Sequence, residues 1–258
     1  MTVGSNAPVG SVASAVRILD LLAESHSPLR LKDIAAPLGI NTSTCLNILR
    51  TLAASGMVAH DASTKTYAPG LGLVALARSA LSRNERVRIG EPLLRDVAQR
   101  YGVTAMLWQR TGRDKMILLS VATGEDTWRI QGQVGSRSPI LQGSMGRLMI
   151  NRAGFSPAEQ RAEFDALKWD RPISFEQFIE QAEQATERGW ASDEGYFNRS
   201  MISISAPVID RAGNCDAVIT AAMFAGQHDA KSRGTIANAI MRVALAMQTE
   251  PFGETPWA

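Results

Sequence analysis

Residues 27 to 58 read Ser-Pro-Leu-Arg-Leu-Lys-Asp-Ile-Ala-Ala-Pro-Leu-Gly-Ile-Asn-Thr-Ser-Thr-Cys-Leu-Asn-Ile-Leu-Arg-Thr-Leu-Ala-Ala-Ser-Gly-Met-Val. Leu31, Ile34, Ala35 and Leu38 form a short apolar stripe that closes on Gly39, a residue suited to the left-handed backbone of a helix stop. Asn41, Thr42 or Ser43 can then cap a second helix by offering a side-chain oxygen to free backbone N–H groups. That helix has an apolar side at Cys45, Leu46, Ile48, Leu49 and Leu52. Its other side carries Thr42, Ser43, Thr44, Asn47, Arg50 and Thr51. A polar helix held by a partner across a tight turn is the usual device for entering a DNA major groove.

Working outward, an amphipathic helix starts near Ser11, with Val12, Val16, Leu19 and Leu22 near helical spacing. Residues 1–10 are small and polar and are expected to be a disordered tail. After Gly56, residues 57–60 and 66–68 read as two short strands around a turn that carries Thr64 and Lys65. A helix-turn-helix followed by a hairpin is a winged arrangement, and the wing tip suits phosphate or the minor groove. Residues 11–75 are thus expected to be a winged helix-turn-helix domain that binds double-stranded DNA. Residues 76–89 are expected to be a linker helix carrying Arg78, Arg83, Arg86 and Arg88, a basic segment that also suits a solvated helix face.

Residues 90–250 mix strands and helices. A helix is expected with Pro92 near its start, followed by strands over 103–109, 116–121 and 127–134. Helices are expected at 144–151, 157–166 and 175–188, strands at 200–210 and 215–224, and a last helix over 229–247, with 251–258 as a tail. This order suggests an α+β sensor domain with an antiparallel sheet. The segment Gly143-Ser144-Met145-Gly146 precedes an apolar helix, where backbone N–H groups can bind a carboxylate. Trp108 and Trp128 fall on expected strands and can serve as core or as planar ligand walls.

The chain has 258 residues, 45 % of them apolar, and a net charge of +2. That suits packed domains and lacks the Lys/Arg load of a strong non-specific nucleic-acid binder. No apolar run reaches the roughly 20 residues of a membrane span, and no secretory pattern opens the chain, so no membrane partner and a cytoplasmic location are expected. Cys45 and Cys215 fall in different candidate domains, which argues against a disulfide. Three histidines and two isolated cysteines have no metal-ligand spacing, so neither a metal nor a cofactor is expected. His26, His60 and His228 lie at turns, and no serine or cysteine sits in a nucleophile motif, so catalysis is not expected.

The opening Ser11-Val12-x-x-Ala15-Val16-Arg17-Ile18-Leu19, the Leu31-x-x-Ile34-Ala35 and Ile48-Leu49-Arg50-Thr51-Leu52 segments and the Tyr67-x-Pro69-Gly70 exit resemble the IclR-type transcriptional regulators. Gly143-Ser144-Met145-Gly146-Arg147, Arg188-Gly189-Trp190 and Ile204-Ser205-Ala206-Pro207-Val208 follow in the family's order. The resemblance implies a winged helix-turn-helix, a linker helix and a GAF-like effector-binding domain. It also implies homodimers, some paired into dimers of dimers, on a palindromic operator, controlled by a small organic acid and governing a catabolic operon. Alignment with acid-binding relatives adds Asp193, Ser203 and Thr220 to the effector site, alongside Trp108, Trp128 and the 143–146 segment. With the aromatic candidates, an aromatic or cyclic carboxylate is the expected effector. Ser14 and Asn47 stand where relatives often have Arg. That loss leaves open an alternative sensor that acts through protein contacts without binding DNA. Asn47 keeps the capacity to pair with adenine.

Overall fold

α1 (Gly10–Glu24) buries Ile18 and Leu22, one helical turn apart, as its apolar spacing requires. A two-residue strand β1 (Leu29–Arg30) leads into α2 (Leu31–Leu38), which buries Ile34 and Ala35. Gly39 stops α2 in the left-handed conformation, φ 63°, and the N–H groups of Gly39 and Ile40 return to the carbonyls of Ala36 and Ala35. The Arg17 guanidinium donates to the Leu38 carbonyl at 2.8 Å, satisfying an acceptor at the same helix end. α3 (Thr42–Ala54) follows, capped by Asn41, whose Oδ1 accepts from the Ser43 N–H at 2.9 Å. The hairpin β2 (Val58–Asp61) and β3 (Thr66–Pro69) completes a three-stranded antiparallel sheet in the order β1-β3-β2.

The computed structural model describes residues 9–125 and 129–248. Backbone contacts divide the chain into two units, one ending at Leu81 and the other beginning at Ser82. The expected tail lies outside the described residues for positions 1–8, and helix has already begun at Gly10. The expected tail at 251–258 also lies outside them.

The linker differs from expectation. α4 (Gly72–Ser82) and α5 (Glu85–Tyr101) are separate helices rather than one helix over 76–89. Asn84 is the reason. Its backbone is extended, and its side chain accepts from the Val87 N–H at 3.2 Å, which starts a new helix. Pro92 consequently lies inside α5, where it removes one helical hydrogen bond, and not near its start. Arg86 is not on a solvated face either. It is 4 % exposed and meets Asp216 at 2.6 Å.

The second unit is built on one six-stranded antiparallel sheet, in the order β6-β5-β4-β9-β8-β7. The strands are β4 (Thr104–Thr111), β5 (Lys115–Thr123), β6 (Arg137–Pro139), β7 (Ala191–Glu194), β8 (Met201–Ile209) and β9 (Cys215–Phe224). Side chains alternate between faces with the period of two that a strand imposes. Ala217, Ile219, Ala221 and Met223 of β9 pack with Ala105, Leu107, Ile204 and Ala206 under α5 and α9 (Ala230–Ala246). Part of the opposite face packs Met116 and Val218 against α6 (Gly143–Met149), α7 (Pro157–Asp165) and α8 (Phe175–Arg188).

The strand expected over 127–134 does not form in its described part. Residues 129–136 are irregular, and 126–128 lie outside the described residues. Gly132 explains the path. A Cβ there would meet Leu118, Val121 and the Met106 sulfur, so the segment crosses close over the sheet's face and reaches the edge only at Gly135 and Ser136, which pair with Leu118. Among the described residues, no helix is long and apolar enough to cross a membrane.

Candidate functional site

Two sites follow from this scaffold, one in each unit. In the first, α3 buries Cys45 and Leu49 and leaves Thr42, Ser43, Thr44, Asn47, Arg50 and Thr51 exposed. At about 100° per residue, positions 43, 44, 50 and 51 fall within about 60° of Asn47, while 45, 49 and 52 lie opposite. Ser43, Thr44, Asn47, Arg50 and Thr51 therefore form one continuous strip, whereas Thr42, the first residue of the helix, lies about 140° from Asn47 on the side of Cys45 and Leu49 and is exposed only because it stands at the helix end. Two of its groups, and one in the wing, already have local partners. Ser43 Oγ donates to Asn41 at 2.8 Å, and Thr51 Oγ1 donates to the Asn47 carbonyl at 3.0 Å. Thr64 Oγ1 lies 2.7 Å from Thr66 Oγ1 in the wing.

The wing tip is shaped by Asp61. Its Oδ1 accepts from Ser63 Oγ at 2.6 Å and from the Ser63 and Thr64 N–H groups. The Ser63 and Thr64 hydrogen bonds stabilise the carboxylate and lower its pKa to about 2. Lys65, at φ 56°, is the described non-glycine residue with left-handed backbone, and its side chain is exposed at the tip. Behind it, the rings of His60 and Tyr67 stack at 4.6 Å, which ties the two wing strands together.

The second site is a cavity of about 400 Å³ on the sheet face opposite α5 and α9. Its floor is Met106 and Trp108 of β4, Leu118 of β5, Met201 and Ser203 of β8, and Thr220 and Ala222 of β9. The irregular crossing contributes Ile130, Gln131, Gly132, Gln133 and Ser136. Gln142, Gly143, Ser144 and Met145 close one side, with Ser138 and Phe197 completing the wall.

One polar feature organises the cavity. Ser144 Oγ lies 2.8 Å from Ser203 Oγ and 2.7 Å from Ser205 Oγ, and Ser205 Oγ lies 2.8 Å from Thr220 Oγ1. Strand register causes this, since Ser205 stands directly opposite Thr220 and two residues from Ser203 on the same face. Four hydroxyls have four protons, and the three contacts within the row use three. One proton is left over, so the row can donate to a ligand acceptor. A second polar group lies beside it, where Ser138 Oγ donates to Gln142 Oε1 at 2.7 Å and leaves the amide N–H groups of Gln142 for other use. No described lining residue carries a formal charge.

Of the candidate effector residues, Trp108, Gly143, Ser144, Met145, Ser203 and Thr220 line this one cavity. Gly146 and Asp193 are not among its lining residues, and Trp128 lies outside the described residues. Gly146 packs on the Leu141 backbone, where a Cβ has no space. Asp193 is 3 % exposed and pairs with the buried Arg147 at 2.8 Å, while its other oxygen accepts from the Tyr196 and Phe197 N–H groups. Burial pushes the Arg147 guanidinium below its ordinary range and Asp193 pulls it back. Arg147 also donates to the Gly143 carbonyl at 2.7 Å and to Gln181 at 2.7 Å. It therefore ties a cavity wall to α8. Met106, Leu118, Met201 and the 130–136 crossing were missed, because an apolar residue on a strand reads the same whether it faces core or cavity.

α6 has seven residues. Its dipole is correspondingly small, and the hydroxyl row is the stronger anchor for a carboxylate than the helix start that the sequence suggested. Neither cysteine fits a nucleophile. Both are buried, which raises the Cys45 pKa and pushes the Cys215 thiol up to about 11. Among the described residues, no group of His, Cys, Asp and Glu could hold a metal ion.

Comparison with known proteins gives two matching family models. The IclR helix-turn-helix domain matches residues 11–62, and the bacterial transcriptional regulator IclR C-terminal domain matches residues 78–249. The chain is 30% identical over 211 residues to the HTH-type transcriptional regulator BhcR of Paracoccus denitrificans, covering 80% of this chain and 74% of that one. It is 29% identical over 210 residues to the glycerol operon regulatory protein of Streptomyces griseus, covering 79% and 80%. Among solved structures, an IclR transcriptional regulator from Alicyclobacillus acidocaldarius superposes with a TM-score of 0.82 at 25% identity, covering 94% and 98%. An IclR homologue from Microbacterium hydrocarbonoxydans, complexed with 4-hydroxybenzoate, shares the fold with a TM-score of 0.71 at 18% identity, covering 92% and 97%.

Proposed function

The chain belongs to the IclR family of transcriptional regulators, DNA-binding proteins and not enzymes, and on that premise we propose that it controls a catabolic operon in response to an aromatic or cyclic monocarboxylate. The cavity carries this reading. At about 400 Å³ it is well above the roughly 150 Å³ that already holds benzene. A two- or three-carbon keto acid would leave most of it to water, against apolar walls. Trp108 and Phe197 offer planar surfaces, and Met106, Met145 and Met201 offer adaptable ones. The spare proton of the Ser144–Ser203–Ser205–Thr220 row suits one carboxylate. The absence of lining charge disfavours a dianion, whose desolvation nothing there offsets. The 4-hydroxybenzoate held by the Microbacterium protein supports the same class.

On the DNA side, the α3 strip reads the major groove and Lys65 contacts a phosphate from the wing. Val12 and Val16 on α1 and Val74 and Leu76 on α4 are exposed large apolar residues. They supply a homodimer contact, and a twofold dimer presents two copies of α3 to a palindromic operator. Effector binding changes operator affinity by favouring one arrangement of the two reading helices over another.

Calorimetry of the full chain with a panel of benzoates, glyoxylate, pyruvate and succinate tests the effector class. Saturable binding of a benzoate, weakened by Ser144→Ala, is expected. Binding confined to the two- and three-carbon acids or to succinate would remove the aromatic monocarboxylate.

A further inference from the structure

α8 carries three distinct rows. Phe178, Ala182 and Ala185 are buried. Glu176, Glu180, Glu183 and Glu187 lie on the opposite side at about 100° per residue. Gln177, Gln181, Gln184 and Arg188 run along one flank between them. The helix therefore holds its acids away from that flank.

Gln181, Gln184 and Arg188 line a groove of about 220 Å³ together with Arg171, Ser192, Glu194 and Tyr196. Both arginines are held in place by aromatic rings. The Arg171 guanidinium lies 4.2 Å from the Tyr196 ring centre and donates to the Tyr196 hydroxyl and the Glu194 carbonyl. The Arg188 guanidinium lies 3.9 Å from the Trp190 ring centre and donates to the Trp190 carbonyl and to Ser192 Oγ. Stacked guanidinium groups are preorganised for a planar or tetrahedral oxyanion. Glu194 is the carboxylate that lines the groove, and its Oε1 is 3.3 Å from Arg233. Arg171 and Arg188 therefore remain as an excess of positive charge.

A second, independent feature stands behind this wall. Nη2 of the fully buried Arg147 has no hydrogen-bond partner. On the planar guanidinium, Nη2 shares an edge with Nε–H, and Nε–H donates to Gln181 at 2.7 Å. Two rings face Arg147, with the core Phe178 centre 5.0 Å and the Tyr196 centre 5.7 Å from the guanidinium carbon. Gln181 and Tyr196 both line the groove, so Arg147 stands directly behind its inner wall.

We propose that this groove is a second ligand site, for a small multiply charged oxyanion of the phosphate or dicarboxylate class. It complements the cavity of the proposed effector, whose described lining carries no charge and suits a different chemical class. Arg147 connects the two, since its Nη1 holds the carbonyl of the cavity residue Gly143.

The test is calorimetric titration of the full chain with inorganic phosphate and, separately, with succinate, at constant ionic strength set by potassium chloride. Saturable binding of at least one, with a Kd of about 1 mM or tighter, is expected. Arg171→Gln/Arg188→Gln should weaken it by about tenfold or more, with an unchanged unfolding transition in the absence of the anion. Which anion binds assigns the source, and either supports the site. No saturation by either anion, or the same isotherm for the double variant, overturns it. The titration needs no benzoate, so its failure is separate from failure of the effector reading.

Discussion

Replacing Arg147 by Met tests whether the buried ion pair organises the effector domain. The Arg147 side chain has 0 % exposure and that of Asp193 3 %. Removing the guanidinium leaves Asp193 Oδ2 without its partner, while Oδ1 keeps the Tyr196 and Phe197 N–H groups. The Gly143 carbonyl and Gln181 Oε1 also lose their donor. Breaking one side of a buried pair costs about 3–5 kcal/mol, because a charge stays buried and uncompensated. Asp193→Asn should cost a similar amount by stranding the guanidinium instead. The double variant Arg147→Met/Asp193→Asn buries no net charge, and Asn keeps an acceptor for the two backbone N–H groups. It should cost only about 1–2 kcal/mol, so that the cycle shows a coupling of several kcal/mol.

Urea unfolding followed by tryptophan fluorescence reads this directly. All five tryptophans, at 108, 128, 169, 190 and 257, lie beyond the helix-turn-helix unit. With a slope of about 3 kcal/mol per molar urea for a domain of this size, each single variant should shift the midpoint down by about 1–1.7 M. The double variant should shift it by about 0.5 M. Additive shifts, with the double variant worse than either single, would refute the argument that uncompensated burial dominates.

Three further outcomes concern DNA binding. Asn47→Ala should weaken operator binding by about 1–3 kcal/mol and relax preference at the base pair it contacts, measured by fluorescence anisotropy on a set of operator variants. Unchanged affinity and preference would remove its reading role. Lys65→Ala should lower affinity about equally across sequences and reduce the salt slope by about 1 per protomer, measured between low and moderate salt. An unchanged slope would take the wing off the phosphates. For Asp61, the carboxylate's pKa is depressed to about 2 by its turn hydrogen bonds. A depressed carboxylate contributes above its unfolded value of about 3.9 and loses that contribution as pH falls through the folded one. The wing should hold from neutral pH down through pH 4 and loosen only as pH approaches 2. Carboxyl carbon chemical shifts in an NMR titration check this, and a midpoint near 4 would show that the turn does not hold Asp61.

What was legible in the sequence depended on whether a residue's neighbours along the chain or across the fold decide its role. The helix-turn-helix was legible because Ile34, Ala35, Gly39, Cys45 and Leu49 act through helical spacing and a single turn, all within a short span. The paired strands at 104–123 and 201–224 were legible for the same reason, since alternation and Gly-containing turns are local. The break at Asn84 was not, because an asparagine within an otherwise helical run reads as a surface residue until its side chain is seen to cap Val87. Asp193 was placed on the effector wall by resemblance. Its partner, Arg147, is 46 residues away and on another element, so only the fold could show that the carboxylate is consumed by a guanidinium. The same long-range pairing changes the chemistry of the site. With Asp193 paired to Arg147, the described cavity wall carries no formal charge, which on the proposed reading leaves shape and one spare hydroxyl proton to choose the ligand. If that pairing sets the proposed preference for a monoanion, Asp193→Asn, which leaves the Arg147 charge uncompensated behind the Gly143 wall, should weaken the discrimination against a dianion as well as loosen the Gly143 and Phe197 walls.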